Sequence, residues 1–175
     1  ATVDFPARFM LVAAMNPCPC GYHGDLRHAC TCSPLMVKNY LNRVSGPLFD
    51  RIDLQVEVPA VPFKDLAADT AGPSSAVVRQ EVEAARRIQE ERLAGSGLFT
   101  NAQLTSRLTR QFCPLAPEGL RLLETAMDRL RLSARAYTRI LKLARTIADL
   151  DASPDIGMAH LSEAIGYRSL DRMRG

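Results

Sequence analysis

The chain has 175 residues, of which 47% are hydrophobic and 23% charged, an ordinary globular balance with enough material to bury a core. No apolar run approaches the ~18 residues of a membrane span, no basic-then-apolar leader is visible, and a net charge of +3 is too mild to point to nucleic acid by itself. Five cysteines are few for a disulfide scaffold, yet four of them fall between Cys18 and Cys32, a clustering that points to metal in a reducing, cytoplasmic setting.

With no initiator Met and structured-looking sequence from its first residues, the chain reads as a piece of something longer. Arg8–Met15 is a continuous apolar run halted at Asn16-Pro17, the pattern of a strand buried on both faces of a parallel sheet. The cysteine loop follows, then a short helical stretch from Pro34 to Val44. Leu54–Val58 alternates apolar and polar residues and ends at Pro59, as a half-buried or edge strand does. The stretch from Pro59 to Ser75, with Pro62, Gly72 and Pro73, reads as a linker.

From Ser75 the pattern turns helical. Val78, Val82, Ala85, Ile88 and Leu93 recur at helical spacing until Gly95 and Gly97 stop the run. A short helix is expected from Asn101 to Phe112 and another from Glu118 to Leu130. Ser133 then stands as an N-cap before Tyr137, Ile140, Leu141, Ala144, Ile147 and Ala148, the clearest amphipathic stripe in the chain. Ser153-Pro154-Asp155 makes a turn, and a last helix spans Met158 to Met173. The expected fold class is α/β plus all-α. Residues 1–60 form the end of an α/β core with two strands and the cysteine loop, 61–75 a linker, and 76–175 a bundle of four or five helices. Charge is uneven across this division: residues 1–78 carry 6 basic and 7 acidic groups, net −1, and residues 79–175 carry 16 and 12, net +4.

Four features invite chemistry. Cys18, Cys20, Cys30 and Cys32 form two C-x-C pairs nine residues apart, and four thiolates close a tetrahedral Zn²⁺ site with no open position for catalysis. His23 and His28 lie in the same loop and are possible substitutes for one thiolate, and unpaired surface thiols are the plainer alternative. The symmetric spacing favours structural zinc. Cys113 stands apart and reads as a small buried apolar residue. Asn16, at the end of the first apolar run, is placed either to orient a water or phosphate oxygen or simply to make the Asn-Pro turn, and position alone favours the turn. Arg51 sits among Asp50 and Asp53 after a Gly-Pro turn, so its guanidinium is held in salt bridges or kept for a phosphate. Arg135, Arg139, Lys142 and Arg145 share one face of the best helix. The ordinary reading is a solvated face; the sharper one aims Arg135, just past the N-cap, at an anion.

No G-x-x-x-x-G-K-[ST] occurs, nor an apolar run ending in Asp-Glu, so this sequence does not assemble a nucleoside triphosphate site by itself.

Three blocks carry a resemblance. They are Val12-Ala13-Ala14-Met15-Asn16-Pro17-Cys18-Pro19-Cys20-Gly21, then Leu41 through Leu54 with Ser45-Gly46-Pro47-Leu48-Phe49-Asp50-Arg51-Ile52-Asp53, then Leu132-Ser133-Ala134-Arg135-Ala136-Tyr137 with Lys142 through Leu150. Together they closely resemble the magnesium-chelatase-like AAA+ ATPases of the ComM/YifB group. The resemblance implies the C-terminal third of such an ATPase, using ATP and Mg²⁺ at segments lying upstream. Carried over residue by residue, it implies that Asn16 is sensor 1 beside the γ-phosphate and Arg51 the arginine finger reaching the neighbouring subunit's ATP. Arg135 is then sensor 2 on a helical lid, acting in cis or in trans. It further implies that the two arginines are placed by different rigid bodies in a homo-oligomeric ring, a hexamer, and that the motor acts on DNA in branch migration linked to competence. A chelatase- or chaperone-like ATPase acting on protein partners or metal insertion is the alternative. A non-enzymatic zinc-supported binding module fits least, because it leaves the Asn16, Arg51 and Arg135 blocks unexplained.

Overall fold

Short hydroxyl side chains write most of the helix starts in this protein. Ser33, Ser45, Ser74, Thr105 and Ser133 each stand in extended backbone and accept a bond from the N–H three residues on, at Met36, Leu48, Val77, Leu108 and Ala136, satisfying a donor that the first helical turn leaves open. The computed structural model describes residues 2–3, 9–25, 27–67 and 72–168. These fall into two units, 1–43 and 44–175.

The first unit holds the cysteine loop and one helix, α1 (Pro34–Leu41). Among its described residues only Cys18 and Val37 are buried. A body this small has too little apolar surface to hold itself together by burial alone.

The second unit carries α2 (Gly46–Phe49), α3 (Phe63–Ala67), α4 (Ser75–Arg92), a 3₁₀ turn at Asn101–Gln103, α5 (Ser106–Phe112), α6 (Pro117–Leu130), α7 (Ala134–Leu150) and α8 (Met158–Gly166). Helix α7 is its axle. Ile140, Leu141, Ala144, Ile147 and Ala148 on α7 meet Leu93, Leu104, Cys113, Leu123, Ile156, Leu161 and Ala164 in one core. Ala144, Ala148 and Ala164 are wholly buried, small side chains that let α7 and α8 approach closely. Two corners bracket α7. Arg131 (φ +50°) turns left-handed so that the Leu132 N–H reaches the Met127 carbonyl at 3.0 Å. Ala152 (φ +50°) does the same for the bond from Ser153 to Ala148 at 2.8 Å. Truncating Leu123, 1% exposed in this core, to alanine is expected to cost about 2–5 kcal/mol in urea unfolding; a loss below about 1 kcal/mol would show a site that collapses to fill the space.

The helical half matches the pattern read from the sequence. Helix α4 stops before Gly95 (φ +77°) and Gly97 (φ +72°), and α7 begins directly after Ser133. The Asn101–Phe112 stretch splits into the 3₁₀ turn and α5 because Leu104 leaves helical conformation (ψ 130°). Helix α8 ends at Gly166, and the rest of the expected run to Met173 passes beyond the described residues at 168.

The α/β half needs correcting. Among the described residues there is no strand and no sheet. Arg8 lies outside them; Phe9, Met10, Leu11 and Val12 belong to no helix or strand and are 61–87% exposed. A strand exists only as one side of a ladder, and these residues have no described partner segment. Leu54–Val58 fails for a second reason. Leu54, Val56 and Val58 point outward while Gln55 is buried, the opposite parity to the one its alternation suggested. The Gln55 N–H bonds the Tyr167 carbonyl at the end of α8, at 3.0 Å, so the segment is tied to a helix terminus.

Candidate functional site

Two constellations stand out, one in each unit. In the first, the Sγ atoms of Cys18, Cys20, Cys30 and Cys32 all lie within 4.8 Å of one another. Cys18 is 3.3 Å from Cys20 and 3.7 Å from Cys30, and Cys20 is 3.5 Å from Cys30. Tetrahedral Zn²⁺ with Zn–S of about 2.3 Å sets its sulfurs about 3.8 Å apart, so the chain already brings four ligand atoms to nearly the spacing that ion requires. No disulfide competes, since all five cysteines are free.

Local chemistry builds this cluster. The Gly21 N–H bonds the Cys18 carbonyl at 3.1 Å, and the left-handed φ of +85° at Gly21 lets the chain leave the first pair in a tight turn. Asp25 accepts from the Arg27 and His28 N–H groups at 2.6 and 2.9 Å, folding the loop back toward the second pair. Those two bonds hold the Asp25 carboxyl below its usual range. Cys32 immediately precedes the Ser33 cap of α1. The histidines are used otherwise: His28 stacks on Tyr22 with centroids 4.9 Å apart, and neither His23 nor His28 joins the four-sulfur group.

The backbone N–H of Tyr22, with the Cys18 thiol and the Thr31 N–H, holds Cys20 down at about 5. At Cys32 the Cys20 backbone N–H favours the thiolate, but burial and the neighbouring thiols outweigh it and push the group up to about 12. Cys30 is raised in the same way against the pull of the Cys32 N–H. Four adjacent thiolates repel unless a cation sits among them.

In the second unit, α7 grips the segment that contains Arg51. Arg139 donates to both the Arg51 carbonyl and the Asp53 carboxylate. The α7 cap Ser133 donates its hydroxyl to Asp50 at 2.9 Å. Arg168 donates to the Ile52 carbonyl and lies 3.5 Å from Asp50. The Arg51 side chain itself is exposed, with Nη1 on the Pro47 carbonyl at 2.7 Å, so it makes neither of the salt bridges its acidic neighbours offered. Arg135, one turn before Arg139, is exposed and makes no hydrogen bond or ion pair with the described residues. Asn16 is exposed and lies in the first unit. Arg51 and Arg135 fall in the same unit, where Arg139 of α7 bonds the Arg51 carbonyl.

The rest of the arginine stripe turns inward. Lys142 donates to the Ala102 carbonyl at 3.0 Å, and burial lowers its pKa. Arg145 is buried and bonds the Ser153 and Pro154 carbonyls at 2.6 and 2.8 Å and Asp149 at 3.0 Å. Asp149, fully buried, also accepts a two-pronged contact from Arg92 and the Asn101 amide at 2.7 Å. Sequence reasoning missed this centre. Its one local signal is the i, i+4 spacing of Arg145 and Asp149; Arg92 and Asn101 come from far along the chain. Cys113 is buried as expected, and desolvation pushes its thiol up to about 11.

Comparison with known proteins places this geometry. The family profile described as magnesium chelatase, subunit ChlI, matches residues 1–66, and that of the subunit ChlI C-terminal region matches 72–168. The competence protein ComM of Haemophilus influenzae is 46% identical over 174 residues, 99% of this chain and 33% of that protein. The chain belongs to the magnesium-chelatase-like family, ComM/YifB group. The uncharacterized protein YifB of Escherichia coli is 47% identical over the same share of both chains, and the uncharacterized protein Rv2897c of Mycobacterium tuberculosis 35% over 170 residues, 97% of this chain and 33% of that protein. This family member thus spans about a third of the length of the curated relatives it matches. No described helix is long and apolar enough to cross a membrane.

Proposed function

We propose that this chain is the C-terminal portion of a cytoplasmic ring ATPase, a homo-hexamer that uses ATP and Mg²⁺ to remodel DNA, with Asn16, Arg51 and Arg135 completing the nucleotide site. The observation that carries the reading is the near-complete coverage of this chain by a protein named for competence, at 46% identity. In this reading Arg51 reaches the ATP of the adjoining subunit and stabilises charge developing on the transferred phosphoryl group. Arg135, exposed just beyond the Ser133 cap, meets the γ-phosphate with the helix N-terminus behind it. Asn16 orients the attacking water. The net +4 of residues 79–175 is compatible with a polyanionic substrate.

The deciding measurement is ATP turnover of the full-length protein with and without branched DNA. Strong stimulation is the expected result. A basal rate unmoved by DNA would turn the reading toward a chelatase- or chaperone-like ATPase working on protein partners or metal insertion. The 175-residue chain alone should hydrolyse no ATP, because it has no phosphate-binding loop of the G-x-x-x-x-G-K-[ST] type; turnover by the chain alone would refute that division of labour.

Zinc belongs to the same proposal. Cys18, Cys20, Cys30 and Cys32 would hold it, and bound there it would supply the cross-link lacking in a unit whose described residues bury only Cys18 and Val37. About one zinc per chain is expected after purification under reducing conditions. Chelation should abolish order in residues 18–41 while the melting of α4–α8 is unchanged. Protein that contains no zinc, or amide exchange in that loop unaffected by chelator, would remove the metal from the account.

A further inference from the structure

We infer that Arg139 is a positioning residue for Arg51, fixing from α7 the stretch of backbone that presents the Arg51 guanidinium. The inference rests on the proposed meeting of Arg51 with phosphate. Four consecutive residues around Arg51 are held from outside their own segment. Asp50 is bonded by Ser133, the Arg51 carbonyl and the Asp53 carboxylate by Arg139, and the Ile52 carbonyl by Arg168. Among the described side chains Arg139 alone acts on the main chain of Arg51, whose N–H bonds the Leu48 carbonyl within its own turn.

The division of work on that arginine is telling. Its backbone is fastened to another element, while its side chain is exposed and bonded only within its own turn, to Pro47. A cation intended for a fixed structural pair would be held the other way round, by its guanidinium. Arg139 is also poorly suited to a purely structural task. Helix α7 is already anchored by its core face and by Asp149, and the Asp53 side chain that Arg139 meets is 67% exposed, where an ion pair contributes little to stability. What its two donors accomplish together is geometric. Both come from Nη1, so the carbonyl of residue 51 and the carboxylate two residues on are tied to one atom of a planar guanidinium whose direction α7 sets. Arg135 lies one turn away on the same face of α7, so the two exposed arginines are presented in a fixed relation.

The test is steady-state ATP turnover of the full-length protein. Arg139→Ala is expected to lower kcat by about 10- to 100-fold, the loss that a displacement of roughly 1 Å produces, with KM for ATP unchanged. Arg139→Lys should recover part of the rate, since an ammonium keeps the charge and the donors but not the fixed direction of the planar guanidinium. In an Arg51→Ala background, adding Arg139→Ala should lower the rate no further. An equal fall in both backgrounds, or a kcat at the wild-type value, overturns the inference. If Arg51→Ala alone leaves turnover intact, it is the reading of Arg51 that fails, whatever Arg139→Ala does. Should Arg139→Ala not accumulate as folded protein, Asp53→Ala carries the same comparison without touching a buried group: a fall in kcat that vanishes with Arg51→Ala supports the inference, and no fall overturns it.

Discussion

Arg51→Ala in the full-length protein is expected to cut ATP turnover by about 10³-fold or more while leaving ATP binding nearly intact. The expectation follows from where the guanidinium stands. It is exposed, and among the described residues it bonds the Pro47 carbonyl of its own turn alone. Removing it opens no cavity and strands no buried partner, so the fold should tolerate the change within about 0.5 kcal/mol. A group that meets phosphate only from a neighbouring subunit affects the transition state more than the bound ground state, which is why kcat should fall and affinity should not. A thousandfold loss corresponds to about 4 kcal/mol of transition-state stabilisation. Turnover at saturating ATP, with nucleotide affinity measured separately, separates the two quantities. Loss of affinity with the fold disturbed would make Arg51 a structural residue of the α2 turn.

The second large effect is expected at Asp149→Ala, measured as stability. Asp149 is the acceptor for Arg92, Asn101 and Arg145, and its own side chain is fully buried. Deleting the carboxylate leaves Arg145, whose side chain is 3% exposed, as a buried cation with only the Ser153 and Pro154 carbonyls for company. Breaking a buried pair from one side costs about 3–5 kcal/mol, against a total of about 5–15 kcal/mol for a domain. In thermal unfolding that is a fall of roughly 10–20 °C. A shift of only a degree or two would mean that water enters the site and solvates Arg145. The carboxylate joins α4, the 3₁₀ turn and α7, so hydrogen-exchange protection should fall in all three together.

How legible was this molecule in its sequence? Helix boundaries set by local chemistry were readable, because Ser133 as a cap and Gly95 and Gly97 as stops act on their own neighbours. The cysteine cluster was readable for the same reason: its four ligand candidates lie within fifteen positions of one another. Residues 9–15 and 54–58 misled because apolarity records a tendency to be covered, whereas a strand needs a second segment beside it. The arginine stripe misled differently. Arg135 faces water, yet Lys142 and Arg145 on the same stripe meet Ala102 and Asp149. A helical pattern shows which residues share a side and leaves open what lies opposite. Contacts such as Arg139 to Asp53 and Arg92 to Asp149 join residues 86 and 57 positions apart, and no local rule of spacing reaches that far.

Helix α7 is held at its far end by Asp149 and carries Arg135 near the other, fourteen residues away, or about 21 Å at the rise of an α-helix. Between those two ends Ala136, Ile140, Ala144 and Ala148 are buried, so α7 is a rigid strut seated along its whole length. Since Arg139 rides on that strut and holds the Arg51 carbonyl, the same core that seats Arg135 also sets the Arg51 backbone.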